Sequence, residues 1–113
     1  MFTQNRQGAV IVINGDEPLN GDNVGDAQEL VLKCLSRGQP KVVLNLQKIP
    51  YVDSSGLNFL LDTRDACSSR GGSFKVSAPN PLCRDILKIT GIDRQVEIFP
   101  DVLSASGSFA QCR

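Results

Sequence analysis

The sequence predicts an α/β domain with a central sheet of about 4–5 mostly parallel strands and about four helices. Three observations carry that prediction. Short β-branched runs alternate with stretches whose apolar residues recur every three or four positions. Gly, Pro, Asn and Asp punctuate each change from one pattern to the other. The 113 residues hold 41% apolar side chains, far from a disordered composition, and with no Trp, five Phe and one Tyr the core must be built mostly from Val, Ile and Leu. The length fits one domain over residues 1–113.

The elements follow in order. Phe2 and Thr3 are compatible with an edge strand. Ala9-Val10-Ile11-Val12-Ile13, closed by Asn14-Gly15-Asp16, reads as a strand buried on both faces. Residues 17–22 carry Pro18, Gly21 and Asn/Asp, which make a loop long enough to contact a partner, although plain loop chemistry is the better account of it. A helix should begin near Asp22 or Asn23, with Val24, Ala27, Val31, Cys34 and Leu35 inward and Gly38 as its stop. A second strand is expected over Val42–Leu46, between Pro40 and Pro50. The helix after it should bury Leu57, Leu60, Leu61 and Cys67 and end by Gly71-Gly72. Ser73–Ala78 alternates as a third strand. Asn80 caps the next helix with Pro81 at its first position; Leu82, Ile86 and Ile89 mark its buried face, and Gly91 ends it. Val96–Phe99 is the last strand. Asp101 then caps a short helix holding Val102, Leu103 and Ala105, and residues 106–113 read as a frayed tail.

Composition excludes several functions. Twelve basic and twelve acidic residues cancel and form no long run, so no basic stripe invites nucleic acid. Arg64, Arg70, Lys75, Arg84 and Lys88 read as a solvated surface. With no His there is no Ser-His-Asp or Cys-His nucleophile and no histidine metal ligand, so catalytic residues, metal and cofactor are all expected to be none. Cys34, Cys67, Cys83 and Cys112 form no Cys-x-x-Cys pair; they read as reduced thiols of a cytoplasmic protein, the first three at least half buried and Cys112 in the tail. No apolar run approaches a membrane span, and the N-terminus lacks a signal core.

The residues that carry chemistry are Asp53-Ser54-Ser55-Gly56-Leu57, between the second strand and its helix. Asp53, Ser54 and Ser55 are all good N-cap residues. They place two hydroxyls at a helix start beyond a strand's carboxyl end, where open sheets carry their sites. No Gly-x-x-x-x-Gly-Lys-Ser/Thr or Gly-x-Gly-x-x-Gly run accompanies them. By residues alone the serines read as caps, or as hydroxyls that a kinase modifies; a phosphate there adds about −1.5 to −2 charges.

Val43-Leu44-Asn45-Leu46, then Tyr51-Val52-Asp53-Ser54-Ser55-Gly56-Leu57 and Leu60-Leu61, resembles the signature of STAS domains, most closely the small bacterial anti-sigma factor antagonists. The likeness runs on through residues 10–15 and 71–76, and through Pro81, Leu82, Ile86, Leu87, Gly91 and Ile92. It implies a single STAS domain and a partner-switching regulator rather than an enzyme. In that family the antagonist binds an anti-sigma factor that is also a serine kinase. The kinase phosphorylates the serine after the motif aspartate, and a serine phosphatase restores it. The resemblance makes Ser54 the phosphorylation site and Asp53, Ser54, Ser55, Gly56, Leu57, Asp16 and Glu17 the partner-binding set. It implies no nucleic-acid partner and no membrane insertion, and leaves the oligomeric state open. One departure stands out. The family often has Gly-Glu-Leu-Asp after the first core strand; here the run is Gly15-Asp16-Glu17-Pro18-Leu19-Asn20, with altered spacing. Two other readings remain: a non-phosphorylated structural STAS subunit of a transport or stress-signalling assembly, and a small-ligand module using the same helix start.

Overall fold

The computed structural model describes residues 1–35 and 38–111, with the side chains of residues 110 and 111 left aside. Five strands form one sheet in the order of the sequence: β1 (Phe2–Gln7), β2 (Val10–Gly15), β3 (Lys41–Asn45), β4 (Ser73–Ser77) and β5 (Glu97–Phe99). β1 and β2 pair antiparallel around Gly8, whose φ of +63° makes the tight reversal. The other pairs are parallel, so each needs a helical crossover. α1 (Val24–Cys34), α2 (Ser54–Ser69) and α3 (Pro81–Ile89) supply these, and α4 (Val102–Gln111) follows β5. A 3-10 turn at Ile92–Arg94 precedes β5.

The sheet is covered on both faces. Ile13, Val42, Leu44, Phe74 and Val76 meet α1, α2 and α3 in the main core. Val10, Val12 and Val43 point the other way and meet Ala105 and Phe109 of α4. This alternation explains why the strand runs are apolar throughout rather than every second residue.

Four expectations need correction. α2 buries Phe59 and Thr63 as well as Leu60 and Cys67, while Leu57 and Leu61 are half-buried. α3 turns inward Cys83 and Leu87, not Leu82 and Ile89, which are 54% and 83% exposed. The reason is anchoring: the Asn80 side chain accepts from the Cys83 amide (2.8 Å) and donates to the Ile49 and Pro50 carbonyls, and so sets the rotation of the helix. Lys75 is not solvated; it lies 1% exposed beneath α4. The stretch expected to fray is helical through Gln111, and Phe109 is buried. Cys34, Cys67 and Cys83 are buried free thiols, and Cys112 lies outside the described residues. Burial raises the Cys67 pKa to about 11, with Cys34 adding to the effect and the Arg70 charge opposing it. Among the described residues, no helix is long and apolar enough to cross a membrane, and no cluster of His, Cys, Asp or Glu could hold a metal ion.

Candidate functional site

The site begins with the segment leaving β3. Leu46, Ile49 and Val52 are buried along it. Val52 forms an isolated parallel bridge with Leu19, made by Leu19 N–H to Tyr51 O and Asp53 N–H to Leu19 O, each 3.1 Å. The loop after β2 is thereby tied to the motif. Leu19, 0% exposed, fills the space beneath it.

α2 starts on this platform. Asp53 is extended (φ −98°, ψ −169°), and its Oδ1 accepts from the Gly56 amide at 3.1 Å. Of the three adjacent cap-forming residues, Asp53 is therefore the cap, and the two serines occupy the first helical positions. Gly56 is set by close approach. A Cβ there would lie 2.3 Å from Leu19 O and 2.6 Å from Val52 Cγ1, so only a hydrogen can face the bridge.

The four amides at a helix start lack intrahelical acceptors. Here Asp53 N–H uses Leu19 O and Gly56 N–H uses its cap. The Ser54 and Ser55 amides are left without an acceptor among the described residues, and they open at the helix's positive end. Ser54 is exposed. Ser55 is half-buried, and Gly21 lies beside it; a Cβ on Gly21 would be 3.6 Å from Ser55 Oγ. The two hydroxyls are thus unequal in access. Tyr51, 40% exposed, flanks the site and accepts from the Asn20 side-chain amide at 3.3 Å.

The structure brings Asp53, Ser54, Ser55, Gly56 and Leu57 together at the carboxyl edge of the sheet. Asp16 and Glu17 stand apart. Both pair with the Met1 amine, Asp16 at 2.6 Å, and among the described residues neither bonds to the motif. That hydrogen bond holds the Asp16 carboxyl below its ordinary range and the amine above its own. What lies against the motif is the second half of the loop. Asn20 was not singled out from sequence, yet its Oδ1 accepts from the Asp22 and Asn23 amides and closes the turn that leads into α1. The signal was present: an Asn at the head of the turn-forming run Asn20-Gly21-Asp22-Asn23, where a short side chain reaches amides two and three residues on.

A family model described as STAS domain matches residues 2–105. The chain belongs to the STAS domain family. A Thermotoga neapolitana protein, provisionally named an anti-sigma factor antagonist, is 29% identical over 97 residues, 85% of this chain and 86% of its own length. The crystal structure of a Thermotoga maritima protein with the same provisional name is 26% identical, with a TM-score of 0.88 over 95% of this chain and 92% of that one. The anti-sigma factor antagonist SpoIIAA, solved in its unphosphorylated form, is 16% identical with a TM-score of 0.82 over 100% of this chain and 99% of its own. At that identity the likeness to SpoIIAA is one of fold. This STAS chain shares with these structures the α/β architecture described above.

Proposed function

We propose that this STAS chain is an anti-sigma factor antagonist that works by binding rather than catalysis. Residues 1–113 act as one domain in the cytoplasm, and the chain controls transcription indirectly. Its partner is an anti-sigma factor with serine-kinase activity, which it engages through Asp53–Leu57 and the adjacent loop; binding the anti-sigma factor frees a sigma factor. Phosphorylation of Ser54 switches the chain off, and a serine phosphatase restores it. The provisional names of the two Thermotoga relatives support this reading.

The observation that carries it is the asymmetry of the two serines. Ser54 is exposed at the first position of α2, whereas Ser55 is half-buried beside Gly21. In the modification, Ser54 Oγ bonds to the γ-phosphorus of ATP, the bond to ADP breaks, and the hydroxyl proton leaves to a base of the kinase. The phosphate then sits by the two open amides. The Asp53 cap and the Leu19 bridge have no need to move, so the switch is a change of surface charge rather than of fold. Asp16 and Glu17 belong to the rim of the partner surface, behind Leu19–Gly21.

The test is intact mass after incubation with the cognate kinase and ATP. One phosphate is expected on wild type and on Ser55→Ala, and none on Ser54→Ala. Ser54→Ala should still bind the partner, and Ser54→Asp should bind at least about tenfold more weakly. No added mass with a demonstrably active kinase would favour a structural subunit and leave Ser54 as a plain helix-start residue.

A further inference from the structure

The two faces of the sheet are held in different ways. Among the described residues, the α1–α3 face joins twenty-one buried side chains, and the α4 face joins five: Val10, Val12, Val43, Ala105 and Phe109. α4 reads Val-Leu-Ser-Ala-Ser-Gly-Ser-Phe-Ala-Gln, with three serines and a glycine in ten residues. Such a sequence has little intrinsic helicity, so its order depends on docking.

The docking is centred on Lys75. Its ammonium donates to Ser108 Oγ at 2.6 Å and lies 4.4 Å from the centre of the Phe109 ring. From β5, the Phe99 ring is 5.4 Å away and Glu97 Oε1 is 3.6 Å away. Desolvated cation–π contacts and charge-assisted hydrogen bonds are strong, but both depend on geometry. The same region holds two buried hydroxyl oxygens, Ser77 Oγ and Ser106 Oγ, without a partner among the described residues. Each adds a cost to the closed state.

The entry to α4 favours motion as a unit. Pro100 ends β5, and Asp101 Oδ1 accepts from the Ser104 amide at 2.7 Å, so the helix carries its own cap away from the sheet. The family match also ends at residue 105. Ser108 and Phe109, which meet Lys75, lie beyond it.

We propose that α4 is a hinged cover, opening about Pro100 while the α1–α3 face stays folded, with the Lys75 ammonium as its clasp. The closed state hides Val10, Val12 and Val43 around a lysine. The open state presents them, on the side of the sheet opposite α2. The device is independent of Ser54 and needs no phosphate.

The chain supplies its own reference for the test. Cys34, Cys67 and Cys83 are buried in the α1–α3 core and report its opening. In a Cys112→Ser background, Val43→Cys places a thiol at a position that is 0% exposed beneath α4. In native buffer the introduced thiol should react with a disulfide reagent at least about tenfold faster than Cys67 and Cys83. Adding Ser108→Ala should raise the rate of the introduced thiol about fivefold or more and leave those of Cys67 and Cys83 unchanged. Equal rates for all buried thiols would overturn the cover, because only global unfolding would then expose the α4 face. An unchanged rate in Ser108→Ala would overturn the clasp. If Val43→Cys fails to fold, amide hydrogen exchange on the wild type decides. Exchange of residues 105–109 ahead of residues 59–67 supports the cover, and coincident exchange overturns it.

Discussion

α2 and α3 start at the same edge of the sheet by the same device. Asp53 and Asn80 are both extended, and each accepts from the amide three residues on, Gly56 or Cys83. Yet one start has the makings of a switch and the other is a strut. At α3 the cap's own amide group is spent on the Ile49 and Pro50 carbonyls, Pro81 has no N–H to offer, and Cys83 is buried. At α2 the cap is a carboxylate, two serine amides stay open, and one hydroxyl is exposed. A helix cap therefore does not by itself make a site. What matters is which of the first three residues the platform beneath leaves accessible.

The third helical position breaks the comparison most sharply. Gly56→Ala drives a methyl against the Leu19 carbonyl, and denaturant unfolding should show a loss of about 3 kcal/mol. Cys83→Ala, at the equivalent position of α3, only opens a small cavity and should cost about 1 kcal/mol. If Gly56→Ala were as mild as Cys83→Ala, the Leu19 bridge could not be the platform described here.

The caps come next. Asn80→Ala removes a cap and also the tie to two loop carbonyls, and should cost about 2 kcal/mol by thermal or denaturant unfolding. Asp53→Ala removes the cap alone and should cost about 1 kcal/mol. Equal losses would mean that the Asn80 tie contributes nothing.

Alkaline pH should separate the two starts further. Burial raises the Cys83 thiol above its ordinary value of 9.0. The folded state thus prefers the neutral thiol, and this contribution is intact below about pH 9. It is lost as pH rises from there towards the raised folded value. Wild-type stability should fall over that window, and Cys83→Ala should flatten part of the fall. Cys67, raised for the same reason, supplies another part of it. Gly56 has no titrating counterpart, so Gly56→Ala should leave the slope unchanged.

The smallest effect is the most telling for function. Ser54→Asp puts a carboxylate at the positive end of α2, next to the Asp53 charge, and the two influences oppose each other. Its stability should stay within about 0.5 kcal/mol of wild type by melting. Combined with the expected loss of partner binding, that would separate a surface switch from a folding defect.

Much of this was legible in the chain. The alternation of β-branched runs with helical spacing named the sheet and its crossovers. Asp53 and Asn80 stood where caps belong, and Gly71 and Gly91, with φ of +76° and +78°, follow the ends of α2 and α3. The motif was legible because capping is local chemistry: an oxygen on a short side chain reaches an amide three residues away whatever else surrounds it.

Local pattern could not settle rotation, coverage or access. Leu82, Ile86 and Ile89 fit a helical stripe as well as Cys83, Ile86 and Leu87 do, and the ties of Asn80 and Cys83 to the 49–50 carbonyls favour the second. Lys75 looked like a surface residue until α4 crossed its face of the sheet. The resemblance pointed to Asp16 and Glu17; the loop residues that lie directly against the motif are Leu19 and Gly21. The order of residues was enough to name the elements and the two hydroxyls at the head of α2, because both follow from neighbours along the chain. Tertiary structure decided which serine is exposed and which helix face is buried, because those depend on groups about 30 residues distant in the chain and brought within bonding distance by the sheet.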